Sequence, residues 1–246
     1  MQVNSPYGSL EVAPKGAALL WYQWKEKPVV VSMEDSSADK WFAGHWLFPF
    51  ANRLVDGKIP GFEMLPAWPL RSPEGNAGFH GLLDEVEFNW IALPNGCMGT
   101  ATVESVPHYP WSFDVVVMYA LGPHGLDVNF AVVNTGSASM PFQVGWHPYF
   151  AAPEGDVLTL KSTLGLVDIM PGFDGMLDLV DAQVVTASGQ VVLQCDKDVQ
   201  WQVFWPKGQQ AMALEPILGV PGEMNEWQQL APGENWSMNV RLLPGW

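Results

Sequence analysis

Glycine and proline break this chain so often that helices of ordinary length have no room to form. With 24 Gly and 21 Pro among 246 residues, no interval between them sustains a helical apolar period over three turns. The intervals instead alternate with period two, as half-buried strands do. Leu126, Val128, Phe130 and Val132 interleave with Asp127, Asn129, Ala131 and Val133, and Asn134-Thr135-Gly136-Ser137 supply a reversal. Val199, Trp201, Val203 and Trp205 interleave with Gln200 and Gln202, while Trp236, Met238, Val240 and Leu242 interleave with Ser237, Asn239 and Arg241. Residues 111–120 carry Phe113, Val115 and Val117 in phase, and Val29-Val30-Val31 reads as a short, fully buried strand. Strand and turn signals at this regular spacing predict an all-β fold, a large antiparallel β-sandwich.

A hydrophobic content of 48% fills one large core. No repeat, low-complexity tract or charged linker divides the chain, so residues 1–246 are expected to form a single domain. The formal charge of −15 argues against nucleic acid or an anionic membrane as partner, since both reward clustered Lys and Arg. Cys97 and Cys195 lack metal or redox spacing, and two cysteines are too few for a disulfide framework. The first residues have neither the basic start nor the apolar run of a secretory signal, and no segment reaches a membrane-spanning length, so a cytoplasmic location is expected. The longest unpatterned stretch, 60–78, is either a loop of the kind that carries function on an all-β scaffold, a mobile cover for the site, or an ordered surface loop.

Chemistry concentrates at two X-Pro steps. In Gly145-Trp146-His147-Pro148-Tyr149-Phe150, Pro148 biases His147 toward extended backbone and marks the end of a strand. If 141–147 is one strand, Gln143, Gly145 and His147 share a face opposite Phe142, Val144 and Trp146. His147 is then a proton-transfer group facing a pocket, or a core histidine with satisfied hydrogen bonds. Glu215 also precedes a proline, and strand alternation places it beside Ala211 and Ala213, whose small side chains leave room for a ligand. An imidazole and a carboxylate held at strand ends suit paired acid and base work, although an exposed acid in a turn is the plainer reading of Glu215.

Four ordered segments carry a resemblance: Phe48-Pro49-Phe50-Ala51-Asn52-Arg53-Leu54, Phe79-His80-Gly81, Gly145 to Phe150, and Leu214-Glu215-Pro216. Together they resemble the motifs of the aldose 1-epimerase family, the galactose mutarotase-like proteins, and weaker similarity extends from Pro14-Lys15-Gly16-Ala17 to Pro232-Gly233-Glu234. The resemblance implies a large antiparallel sandwich. It also implies a cofactor-independent isomerase in which Glu215 takes the proton of the anomeric hydroxyl and His147 protonates the ring oxygen. By the same similarity His80 helps to position or polarise the ring oxygen, and Asn52 and Arg53 bind sugar oxygens. A local turn role for His80 and a surface salt bridge for Arg53 stay open. No metal is implied, and neither HExxH, CxxC, a P-loop nor a dinucleotide fingerprint occurs.

The partner implied is a small sugar, with oligomeric state undetermined. A neutral aldose is expected, since the acidic chain would repel a phosphate dianion. A hexose 6-phosphate, or a carbohydrate-binding domain without catalysis, are the alternatives. Asp168, Asp174 and Asp178 are the candidates for a sugar-binding aspartate. Among the 13 Trp, Trp201, Trp205 and Trp236 are expected in the core, and Trp41, Trp46 or Trp68 as a sugar-stacking platform. His45, His108 and His124 carry no motif and are expected to be surface or structural residues.

Overall fold

The computed structural model describes residues 1–32, 42–151, 157–162, 164–179, 182–186, 189–219 and 227–246. Strands make up almost all of its regular structure. One 3-10 turn, Leu83–Glu85, is the helical element among the described residues. No helix among them is long and apolar enough to cross a membrane.

A seven-stranded antiparallel sheet forms the scaffold, in the spatial order Ala182–Thr186, Gly189–Cys195, Asn235–Pro244, Gly125–Asn134, Phe113–Gly122, Gly96–Val103, Asn89–Leu93. Its central hairpin pairs Phe113 with Asn134 and closes at Gly122 and Gly125. The alternation read from the sequence becomes burial here: Phe113, Val115, Val117 and Tyr119 face inward on one strand and Leu126, Val128, Phe130 and Val132 on the next. This first strand begins two residues later than expected, at Phe113, because Trp111 packs on Tyr109 and Phe62 outside the ladder. The expected strands at 126–133, 199–205 and 236–242 are found as Gly125–Asn134, Gln200–Phe204 and Asn235–Pro244, and 29–31 falls within or beside Lys27–Val30.

The opposing sheet orders Asp174–Leu177, Gln200–Phe204, Ala211–Leu218, Val144–Trp146 and Trp46–Leu47, with Tyr149–Ala151 also paired to Ala211–Leu218. Trp46 joins the two layers. Its ring stacks on Trp146 of its own sheet at 5.7 Å and on Phe130 of the other at 4.8 Å. Its Nε1 donates to the Tyr119 hydroxyl at 3.1 Å, which donates in turn to the Ala17 carbonyl at 2.7 Å. Trp46 is fully buried, and Trp68 is buried against Phe50, His108 and Tyr109. Both are packing residues, contrary to the platform expectation, because large aromatics carry most apolar area into a sandwich core. Trp41 lies outside the described residues. Trp201 and Trp205 are in the core as expected, and Trp236 packs at its edge. His45 is buried, His108 packs on Trp68 and His124 is exposed.

Residues 141–147 are not one strand. Met140–Phe142 pairs with Gln228–Leu230, whereas Val144–Trp146 pairs with Ala211–Leu218 and Trp46–Leu47. Gln143 lies at the switch, where its N–H donates to the Pro49 carbonyl at 2.7 Å. Glu215 lies in mid-strand rather than at the strand end predicted for it. The apolar face of that strand, Met212 and Leu214, enters the main core as the alternation predicts.

Candidate active site

A lapse in one β-ladder brings His147 and Glu215 together. Val144 and Gly145 pair with Leu218 and Ile217, then pairing resumes in the same register from Tyr149 and Ala213 onward. Continuing that register across the lapse sets His147 opposite Glu215. The lapse coincides with Pro148 on one strand and Pro216 on the other, two residues with no N–H to donate. Backbone bonds on the far side hold His147 in place: its N–H donates to the His45 carbonyl at 3.0 Å, and its carbonyl accepts from Gly44 at 2.8 Å. Gln202, paired with Glu215 on the next strand, extends the row.

His147 Nε2 stands 3.4 Å from Glu215 Oε1, with side-chain exposures of 4% and 2%. Burial sets the protonation of both. It depresses the His147 imidazole to about 3 and holds the Glu215 carboxyl well above the ordinary carboxylate range, with the charge of Asp174 adding to the second effect. The Tyr149 ring stacks on His147 at 5.2 Å. Glu215 Oε2 and the Tyr149 hydroxyl are buried with no hydrogen-bond partner among the described residues. Orphaned acceptors and donors of this kind are rare in interiors and mark a place where a ligand can bond. The room expected beside Ala211 and Ala213 is filled by Tyr149 and Phe204, which pack on those alanines.

A second layer arrives from the Arg53–Val55 and Ala77–Phe79 hairpin. Asn52 and His80 both take left-handed backbone, with φ of 60° and 57°. Such non-glycine residues cost about 1–3 kcal/mol each and persist where surroundings over-determine them. Two reciprocal bonds do so here: the Asn52 N–H donates to His80 Nδ1 at 3.1 Å, and the His80 N–H donates to the Asn52 carbonyl at 3.0 Å. Because Nδ1 is an acceptor and burial lowers the His80 pKa, the ring is neutral and carries its proton on Nε2. His80 is therefore a fixed donor 5.4 Å, ring to ring, from His147. Arg71 fastens this turn by donating to the Phe79 and Gly81 carbonyls while its guanidinium pairs with Asp84 at 2.8 Å.

The cleft between these layers has about 430 Å³ of empty space, mouth included, and is lined by Phe42, Asn52, Arg53, Pro73, Phe79, His80, His147, Asp174, Gln202, Phe204 and Glu215. All five sequence-derived site residues, Asn52, Arg53, His80, His147 and Glu215, line it. Asp174 is the aspartate candidate that joins them, raised above its ordinary pKa by burial and bonded to Gln202 Nε2 at 2.5 Å. Asp168 instead bonds Thr159 on the Leu158–Ser162 and Gly165–Ile169 hairpin, and Asp178 is exposed outside the cleft. The 60–78 loop contributes Pro73 to the cleft and Glu74 beside Arg53. Sequence reasoning missed Gln202, whose alternation with apolar neighbours suggested a solvated face. Only its register with Glu215 reveals that it is buried.

The fold and cleft define a β-sandwich protein with a buried imidazole and carboxyl facing a cleft. The chain belongs to the aldose 1-epimerase family, whose description it matches over residues 2–171. An uncharacterized protein of Escherichia coli, YihR, is 32% identical over 111 residues, which are 43% of this chain and 35% of that relative's length. The chain thus spans about a third of the curated relative it matches. Among solved structures, a galactose mutarotase-like protein from Lactobacillus casei superposes with a TM-score of 0.78 at 16% identity, covering 100% of this chain and 99% of the other. A galactose 1-epimerase from Lactobacillus acidophilus does so at 0.73 and 13% identity, covering 99% and 93%. At these identities the two likenesses speak to the fold.

Proposed function

We propose that this protein is an aldose 1-epimerase, interconverting the α and β anomers of a free, neutral aldose by acid/base opening and reclosure of the ring. The observation that carries this reading is the 3.4 Å approach of His147 Nε2 to Glu215 Oε1 in the cleft. Ring opening exchanges protons at two oxygens, the anomeric hydroxyl and the ring oxygen. Both are bonded to the same carbon, so they lie within about a hydrogen-bond length of each other. An acid and a base side by side can reach both at once, whereas widely separated groups cannot.

Glu215 takes the proton from the anomeric hydroxyl, and His147 gives one to the ring oxygen as the bond between that oxygen and C1 breaks. The open aldehyde turns about C1–C2 and presents its other face. Reclosure reverses both transfers and yields the opposite anomer. The pair needs one proton between its members, on His147 before opening and on Glu215 after it. Burial favours the neutral arrangement in the free protein, and sugar hydroxyls donating to the carboxylate favour the charged one in the complex. Both arrangements hold the same proton count, so the cycle requires no net exchange with solvent. In this reading the Nε2–H of His80 donates to the ring oxygen, and Asn52, Arg53 and Asp174 hold the remaining hydroxyls; their common place on the cleft wall supports it.

The test is anomeric exchange by NMR on a panel of neutral aldoses and hexose 6-phosphates, with Glu215→Gln as the control for spontaneous exchange. Acceleration by wild type on a neutral sugar, lost in the variant, is expected. A sugar that binds without acceleration would overturn the catalytic reading in favour of a carbohydrate-binding domain.

A further inference from the structure

Arg53 is the cation of the cleft, and its charge is already answered. Its Nε and Nη2 donate to the two carboxylate oxygens of Glu74 at 3.0 and 2.8 Å, a bidentate fork. Its Nη1 donates to Asn52 Oδ1 at 3.0 Å and lies 3.9 Å from Asp174. The flat guanidinium also rests over the Phe79 ring at 5.2 Å. Two carboxylates therefore surround one guanidinium at the edge of the cleft. The hydrogen bonds from Arg53 lower the Glu74 carboxyl to about 2, so it is ionised near neutral pH. A guanidinium has five N–H groups, and the three hydrogen bonds above leave two of them for an uncharged hydroxyl.

Resting on the epimerase reading of the cleft, we infer that Glu74 is a specificity-determining residue: by pairing with Arg53 it excludes anionic sugars while leaving Arg53 able to bond neutral ones. An anionic substituent placed at Arg53 must either displace Glu74 or sit beside two carboxylates, and like charges at that range are a strong selector. Glu74 comes from the 60–78 loop and is half-exposed, so it acts through Arg53 and is a positioning residue. Arg53 is otherwise fixed by Asn52 and by the Phe79 ring, which keeps it in place when Glu74 is changed.

Paired sugars that differ only in charge at C6 test this, namely glucose against glucuronate and galactose against galacturonate, with wild type, Glu74→Gln and Glu74→Asp. Anomeric exchange and saturation-transfer NMR binding are read at low and high salt. Wild type is expected to favour the neutral member of each pair. Glu74→Gln should shift the neutral-to-anionic ratio toward the acid by about threefold to tenfold, the range of a partly exposed charge contact, and the gain should fade with salt. Glu74→Asp keeps the charge and should keep the wild-type ratio. An unchanged ratio in Glu74→Gln, or free acceptance of the uronates by wild type, would overturn the inference. If wild type binds neutral sugars without accelerating exchange, the epimerase reading fails, and the binding ratios still decide the role of Glu74. If no sugar of either kind binds, both readings fall.

Discussion

Removing either member of the His147 and Glu215 pair should cost as much activity as removing both. The two groups sit 3.4 Å apart in a space almost closed to solvent, and the proposed mechanism gives them one transferable proton between them. A group that has lost its partner cannot complete the exchange, because the proton must enter at one oxygen as it leaves from the other. General acid/base contributions run to about 10²–10⁴-fold, or roughly 3–5 kcal/mol of barrier. Independent contributions would multiply to about 10⁴–10⁸-fold in His147→Gln/Glu215→Gln, whereas a unit predicts that the double variant stays near the singles. Stability should change little in Glu215→Gln. Burial already holds that carboxyl neutral, and the amide has nearly the same shape, so the cost is about 1 kcal/mol, a melting shift of roughly 2–4 °C for a chain of this size. Anomeric exchange measured on the three variants, after subtraction of the spontaneous rate, decides the matter. Multiplying losses, or a Glu215→Gln protein with activity near wild type, would falsify the shared-proton account.

The fold should also gain stability with pH through His147. Its imidazole falls from 6.5 unfolded to about 3 folded, so the unfolded chain binds more protons between those values; the contribution is complete above 6.5 and is lost as pH drops toward 3. The full span is on the order of 5 kcal/mol, and urea unfolding of wild type against His147→Gln from pH 4 to 6.5 should show a steeper rise in wild type. Glu215 works in the opposite sense above 4.5, its stabilising effect fading as pH rises toward its raised folded value, so Glu215→Gln should flatten any decline in stability on the alkaline side. Gly145→Ala places a methyl 2.9 Å from Ala51 Cβ and 3.3 Å from Ile217 Cγ1. Overpacking there should cost about 1–3 kcal/mol in denaturant and raise KM, because Ala51 precedes Asn52 and Arg53; an unchanged stability would refute the close approach. Trp46→Ala should cost about 3–5 kcal/mol as a core deletion yet leave KM of the folded protein unchanged, whereas a stacking platform would show the reverse.

Much of this protein was legible along the chain. Dense Gly and Pro, with period-two alternation between them, is a local property, and it yielded the all-β class and five of the strands to within about two residues, though not the break between Met140–Phe142 and Val144–Trp146. The X-Pro steps at His147 and Glu215 also act locally, through steric limits on the preceding residue, which is why both residues of the cleft could be singled out as candidates in advance. The resemblance supplied Asn52, Arg53 and His80 through motifs that are contiguous in sequence. What local signals could not supply was the relation between distant strands. The opposition of His147 and Glu215 depends on the register of Tyr149 against Ala213 and of Gly145 against Ile217. Gln202 and Asp174 enter the cleft through the same sheet, and Trp46 proves to be the bolt between layers only because Phe130 and Tyr119 of the other sheet meet it. The answering of Arg53 by Glu74 joins a loop to a hairpin. Backbone preference reaches only to the next residue or two, so it writes strands and kinks into the sequence. Burial and charge pairing depend on which surfaces meet after folding, so the approaches of His147 to Glu215 and of Glu74 to Arg53 were decided in three dimensions.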